Sequence, residues 1–161
     1  DIAPSGLISV LGGKWTTYRK IAEDAINAAI SINRLKKKKC KTEKLKLVGY
    51  KKIVNWNDPM HIYGSLKKKV ESLGGVDDNE SLSKKFHITN NIIEWSIIHE
   101  MALSLEDVLA RRTRCIFLDA KESKRIAPQV AIKMAEVLEK DQKWVEEELK
   151  NFNKLIKNYI V

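Results

Sequence analysis

Ser5-Gly-Leu-Ile-Ser-Val-Leu-Gly-Gly-Lys-Trp-Thr-Thr-Tyr-Arg-Lys-Ile-Ala-Glu-Asp-Ala-Ile-Asn-Ala-Ala-Ile30 is the stretch that decides how the chain is read. Leu7 to Leu11 is a short apolar run with the length and composition of a buried strand. Gly12-Gly13 then turns the chain. From Lys14 the spacing becomes helical, with Ile21, Ala22, Ala25, Ile26 and Ala29 along one stripe, and the helix is expected from about Trp15 to Ile32. A strand, a glycine pair and a helix start bring several unpaired N–H groups to one point. Such a point attracts anionic or electron-rich atoms. By spacing alone an ordinary strand-to-helix turn is the favoured reading, because a lone glycine motif is a weak signal.

Outward from this stretch, the 161 residues are enough for one domain, or for a domain plus a piece of another. An apolar fraction of 43% allows a real core. No apolar run approaches the roughly 20 residues of a membrane span. The start at Asp1-Ile2-Ala3-Pro4 has no initiator Met and no leader pattern, so an internal start is expected: a fragment, a processed product or the tail of something longer. A single strand makes no stable sheet alone. The first thirty residues therefore read as the closing strand and helix of a domain whose bulk lies upstream.

The net charge of +9 is concentrated between Arg34 and Lys52, where Glu43 is the one acidic residue. Such a segment suits nucleic acid or an anionic membrane surface. Lys36 to Lys39 nevertheless lack interleaved aromatics for base stacking and arginines for base readout, so a solvated loop is the favoured reading. Cys40 and Cys115 stand far apart, which excludes a disulfide framework. His61, His87 and His99 show no zinc spacing, and no metal site is expected.

Beyond the basic stretch, Leu45 to Tyr50 alternates weakly and is a candidate strand. Asn55 to Pro59 reads as a turn. Asp58-Pro59 opens a helix from Met60 to Leu73, striped by Ile62, Leu66, Val70 and Leu73 and stopped by Gly74. From Thr89 the pattern is helical to the end. Asn90 or Asn91 caps a helix bearing Ile93, Ile97, Met101 and Ala102. Ser104 to Asp107 resembles a capping box with Asp in place of Glu. Ile116 to Leu118 reads as a linker. Asp119 caps the next helix, which Pro128 should kink or restart. Asp141 caps the last helix, with the stripe Val145, Leu149, Phe152, Ile156 and Tyr159. The expected domains are 1–32, a basic linker 33–58 and a helical bundle 59–161.

Gly12-Gly-Lys-Trp-Thr-Thr-Tyr-Arg19, with Ser-Gly-Leu-Ile-Ser-Val-Leu before it, resembles FAD-dependent glycerol-3-phosphate dehydrogenases, nearest their mitochondrial branch. Glu100-Met-Ala-Leu-Ser-Leu-Glu-Asp-Val-Leu-Ala-Arg-Arg-Thr-Arg and Phe117-Leu-Asp-Ala resemble the C-terminal helical domain of the same family. The fold class this implies is mainly α: a C-terminal helical bundle preceded by the last strand and helix of an FAD-binding α/β domain.

The resemblance also implies a reaction, the oxidation of sn-glycerol 3-phosphate to dihydroxyacetone phosphate, with electrons passing through FAD to a membrane quinone. A variant delivering electrons to oxygen is not separated from it by these residues. Gly12, Gly13, Lys14, Trp15 and Thr16 would lie against the flavin. Lys14 would act as the catalytic cation and, with Arg19, hold the substrate. An ion pair within the flavin domain is the preferred alternative for Arg19. Implied partners are the remainder of the flavin domain, the mitochondrial inner membrane surface and a homodimer mate, with no nucleic acid. Arg111, Arg112 and Arg114 read as ion-pair partners for acids such as Glu100 and Asp107, and Trp15, Trp95 and Trp144 as packing anchors.

Three departures stand out. No Gly-x-Gly-x-x-Gly is present, so the adenine and pyrophosphate half of an FAD site is missing and the chain alone is expected to be inactive. No calcium loop follows the last helix. The middle is short near Lys85 to Thr89. A rival reading of another class is a stand-alone basic helical module that binds nucleic acid or protein.

Overall fold

The computed structural model describes residues 1–75 and 77–160. They divide into two compact units, Asp1–Leu47 and Val48–Val161. The protein is mainly helical, as expected. No described helix is long and apolar enough to cross a membrane.

In the first unit the expected helix forms as a 3-10 turn, Trp15–Thr17, leading into α1, Tyr18–Ile32. The expected strand does not form. Among the described residues Ile8 makes only a single antiparallel bridge to Ile2. Leu7 to Leu11 stays extended and largely exposed, because no neighbouring strand is present to build a ladder. No residue of the first unit is buried, so α1 presents its apolar stripe to an incomplete cover. The Leu45 to Tyr50 strand is also absent. A 3-10 turn, Thr42–Lys44, precedes that segment, and its alternation is too weak to direct one face inward.

The second unit holds the core. α3, Asn90–Glu100, is capped by the Thr89 hydroxyl, which accepts from the Ile92 N–H at 3.2 Å. The cap therefore precedes both expected residues, Asn90 by one position and Asn91 by two. Asn91 is instead buried, accepting from Gly74 N–H at 2.8 Å and donating to the Glu71 carbonyl at 3.1 Å. α3 carries no single stripe. Ile93 faces one core with Leu109 and Met134, while Ile92 and Trp95 face a second with Met60, Tyr63 and Val70. A helix shared by two cores must be apolar on two sides. Met101, expected on the stripe, is 80% exposed. There the chain enters the left-handed region (φ 58°) and ends the helix, with Ala102 N–H closing onto the Ser96 carbonyl at 2.9 Å.

The expected helix Met60 to Leu73 is broken into a 3-10 segment, His61–Leu66, and α2, Lys67–Glu71. Gly64 causes the break, with φ 53° and ψ −117°. Asp58 still organises the start: its carboxylate accepts from Met60 N–H at 2.9 Å and pairs with Lys67 at 2.6 Å.

The capping box at Ser104 is real. The Ser104 hydroxyl accepts from Asp107 N–H, and the Asp107 carboxylate accepts from Ser104 N–H, both at 3.1 Å. It opens a π-helical turn, Asp107–Arg112, whose wide spacing shows in Thr113 N–H donating to the Val108 carbonyl at 3.0 Å. The expected linker 116–118 is a short helix, α4, Cys115–Leu118. α5, Ala120–Val137, is capped by Asp119 and runs unbroken through Pro128. Pro128 lies on the exposed face, so the carbonyl it leaves unpaired is open to water. α6, Gln142–Ile156, is capped by Asp141 and buries Val145, Phe152 and Ile156. α5 packs against α3, α4 and α6. Each fully buried residue there, such as Ile93, Leu109 or Met134, contributes about 1.5–3 kcal/mol.

Candidate functional site

The Gly12-Gly13 turn needs its glycines. Gly12 has φ 75° and Gly13 φ 119°, a region other residues rarely enter, and a Cβ on Gly13 would lie 2.7 Å from Ile21 Cδ1. A Cβ on Gly12 would meet nothing within 4 Å, so the turn is open on that side. Lys14 then holds an extended conformation. Its N–H donates to Thr17 Oγ1 at 3.3 Å, while the Thr17 hydroxyl and N–H donate to the Lys14 carbonyl at 3.1 and 2.9 Å. Thr17 thus starts the helix. The N–H groups of Gly12, Gly13, Trp15 and Thr16 find no acceptor among the described residues. They are the free donors that a helix start supplies to a ligand.

A hollow of about 400 Å³ adjoins the turn, lined by Gly12, Gly13, Lys14, Trp15, Tyr18 and Ile21 among others. The Lys14 ammonium has no acceptor among the described residues and lies in solvent. Trp15 is 86% exposed and stacks on Tyr18 at 5.2 Å, so it does not anchor a core as expected. Packing needs a second surface, and the first unit offers none at that side chain.

Arg19 is placed differently. Its guanidinium pairs with Glu23 at 2.7 Å and reaches Thr42 Oγ1 at 3.4 Å. It lines a separate hollow of about 770 Å³, rimmed by Lys36, Lys38 and Lys39. Gly12 to Thr16 therefore form one cluster, and Arg19 is not among the residues lining the hollow beside them. Cys40 stands beside Arg19. The Thr42 hydroxyl, and next its backbone, lower the Cys40 thiol pKa.

In the second unit Arg111 pairs with Glu106 at 2.7 Å and Asp107 at 2.8 Å. Arg112 donates from Nε to the Glu100 carbonyl at 3.0 Å and lies 3.8 Å from its carboxylate. These are the structural ion pairs the sequence predicts. Arg114 has no ion-pair partner among the described residues. Trp95 is buried and Trp144 packs against the core, both as expected.

A model of the C-terminal domain of alpha-glycerophosphate oxidase matches residues 40–145. The chain belongs to this family. The alpha-glycerophosphate oxidase C-terminal domain therefore accounts for most of the second unit, including the π-turn and its arginines. The chain is also 32% identical over 174 residues to the probable mitochondrial glycerol-3-phosphate dehydrogenase of Dictyostelium discoideum, covering 97% of this chain and 27% of that protein. It is 31% identical over 182 residues to the mitochondrial glycerol-3-phosphate dehydrogenase of Bos taurus, covering 97% and 24%. Glycerol-3-phosphate dehydrogenase 1 of Mycobacterium bovis is 36% identical over 127 residues, covering 70% and 24%. The chain thus spans about a quarter of the length of the curated relatives it matches. Two of these alignments are longer than the chain's 161 residues, so those relatives carry residues this chain lacks. No solved structure matches it.

Proposed function

We propose that this chain is the C-terminal part of an FAD-dependent glycerol-3-phosphate dehydrogenase, oxidising sn-glycerol 3-phosphate to dihydroxyacetone phosphate. On this reading residues 1–32 finish the flavin domain, 33–58 link, and 59–161 form the C-terminal domain. The observation that carries it is a family match over the second unit joined to a Gly-Gly-Lys turn that ends in free N–H donors.

The turn fits an electron-rich cofactor edge. It has donors without acceptors, no Cβ in the way at Gly12, and a helix start behind it. Gly12, Gly13, Trp15 and Thr16 hold the flavin there, and the flavin, when bound, supplies the two-electron oxidation of the substrate's hydroxyl carbon. The N–H groups of the turn stabilise negative charge on the cofactor edge without having to reorganise. Lys14 offers the cation that holds the phosphate or polarises the reacting oxygen. A lysine at a helix start is electrostatically unfavourable in isolation, and an anionic ligand removes that cost. Arg19, already committed to Glu23 one turn along α1, contributes to the substrate only if that pair opens.

The names of two relatives support mitochondrial placement. The inner membrane surface, a quinone and a homodimer mate are the partners this reading adds. Oxygen as electron acceptor has one specific support, because the matching family is named for an oxidase. The full-length protein containing this segment should be yellow and bleach on adding glycerol 3-phosphate. Lys14→Ala should keep the flavin absorbance and lower turnover by about a hundredfold or more. Turnover at the native rate would remove Lys14 from the chemistry. Peroxide formed in step with substrate would assign oxygen as the acceptor.

A further inference from the structure

The hollow of about 770 Å³ beside Arg19 is separate from the cluster at Gly12 to Thr16 and has two chemically distinct parts. Its floor is apolar, with Ile26 and Ile30 of α1 lining it together with Leu45 and Leu47. Three of these side chains stand open to water, Ile26 at 61%, Leu45 at 65% and Leu47 at 67% exposure. Its rim is basic, formed by Lys36, Lys38, Lys39 and Lys41.

Every charge that lines the hollow sets its sign. Arg19 is a further cation, and the acids are Glu23 and Glu43. Glu23 is taken by Arg19 at 2.7 Å and lies 3.9 Å from Lys20. Glu43 is then one acid against four lysines, none of which enters an ion pair among the described residues. Residues 34–47 as a whole carry eight basic residues and one acidic. Lys67, Lys85 and Lys133, by contrast, are all paired. Unpaired like charges held together repel, and an anion relieves that repulsion.

The floor selects among anions. A small inorganic anion would leave the leucines in water. Nucleic acid would need stacking or base readout, and residues 34–47 hold no aromatic residue and Arg34 as their one arginine. Tyr18, the aromatic residue lining the hollow, is already stacked on Trp15 at 5.2 Å. An anionic lipid uses both parts, with its phosphate at the rim and its hydrocarbon on the floor. Clusters of roughly four to eight basic residues suit anionic bilayers, and exposed apolar side chains beside them deepen the attachment.

We propose that this hollow seats an anionic phospholipid of a bilayer surface, its phosphate on Lys36, Lys38, Lys39 and Lys41 and its acyl chain on Ile26, Leu45 and Leu47. The lipid chemistry stands on this segment. Which membrane it meets rests on the proposed function.

Flotation of the full-length protein containing this segment with phosphatidylcholine vesicles carrying about 30% phosphatidylglycerol tests it. Lys36→Gln, Lys38→Gln, Lys39→Gln and Lys41→Gln together should weaken vesicle binding about a hundredfold, and Leu45→Ser with Leu47→Ser about tenfold. Both variants should keep the flavin absorbance and melt with the parent, since all six side chains are exposed. If the leucine variant melts lower, the lysine variant carries the comparison. The parent should bind pure phosphatidylcholine vesicles about tenfold more weakly or worse. Unchanged affinity in the lysine variant, or equal binding to the neutral vesicles, overturns the proposal. So does unchanged affinity in a leucine variant that melts with the parent. A single-stranded oligonucleotide bound more tightly than the vesicles through the same lysines also overturns it and assigns the rim to nucleic acid. Flavin colour and bleaching are read in the same samples, so a colourless protein that binds the vesicles fails the proposed function and not this site.

Discussion

Gly64 shows how one residue overrides a helical pattern. Ile62, Leu66, Val70 and Leu73 are spaced for a continuous helix, yet the chain turns at Gly64 with φ 53°. A Cβ there would stand 1.9 Å from the Gly49 carbonyl oxygen, which itself accepts from Ser65 N–H at 3.0 Å. Two costs therefore meet in Gly64→Ala, a strained backbone and a clash with a bonded carbonyl. The variant should lose about 2 kcal/mol or more, read from its urea midpoint. A loss under about 0.5 kcal/mol would mean that the close approach to Gly49 is not needed. The contact is invisible in the sequence, because nothing local to residues 62–66 announces the return of Gly49. Lys14 is the opposite case. Its two preceding glycines and following threonines mark it directly, and the structure adds only that its ammonium is unpaired among the described residues.

Three caps were legible because their partner lies three residues away, whereas Thr89, with an equally local partner in Ile92, was passed over for Asn90 or Asn91. Asp119, Asp141 and the Ser104–Asp107 box all act as their spacing predicts. The segment 81–87 was not legible, and it is held by a clasp across the fold. The Ser83 hydroxyl donates to the Glu122 carboxylate at 2.5 Å, and Arg125 donates to the same carboxylate at 2.7 Å while reaching the Leu82 carbonyl at 3.0 Å. Arg125 first, and Ser83 next, bring the Glu122 pKa down to about 2 from its ordinary 4.5. A depressed folded pKa means the stabilisation is complete above the unfolded value and is lost as pH falls from 4.5 toward about 2. Urea midpoints across that window should fall less steeply in Glu122→Gln than in the parent. Parallel profiles would show that the clasp contributes nothing to acid sensitivity.

At the scale of the molecule the two units differ in kind. The second has a contiguous core through α3, α4, α5 and α6, and the first has no buried residue. An isolated helix of α1's 15 residues is marginal in water. In this chain, amides of α1 should exchange far faster than those of α3, α5 and α6. In the full-length protein α1 should gain protection, since the proposed function supplies its cover. Equal protection of α1 and α5 in the chain alone would contradict the absence of a core around it. The long helices α1, α3, α5 and α6, the Asp119, Asp141 and Ser104 caps, the Gly-Gly-Lys turn and the family resemblance were present in the order of residues, because each depends on neighbours within a few positions. The break at Gly64, the two-sided burial of α3, the exposure of Trp15 and the hollow beside Arg19 were not. Each depends on which distant segment returns to cover a face, and that is settled only when burial of the whole chain is optimised together.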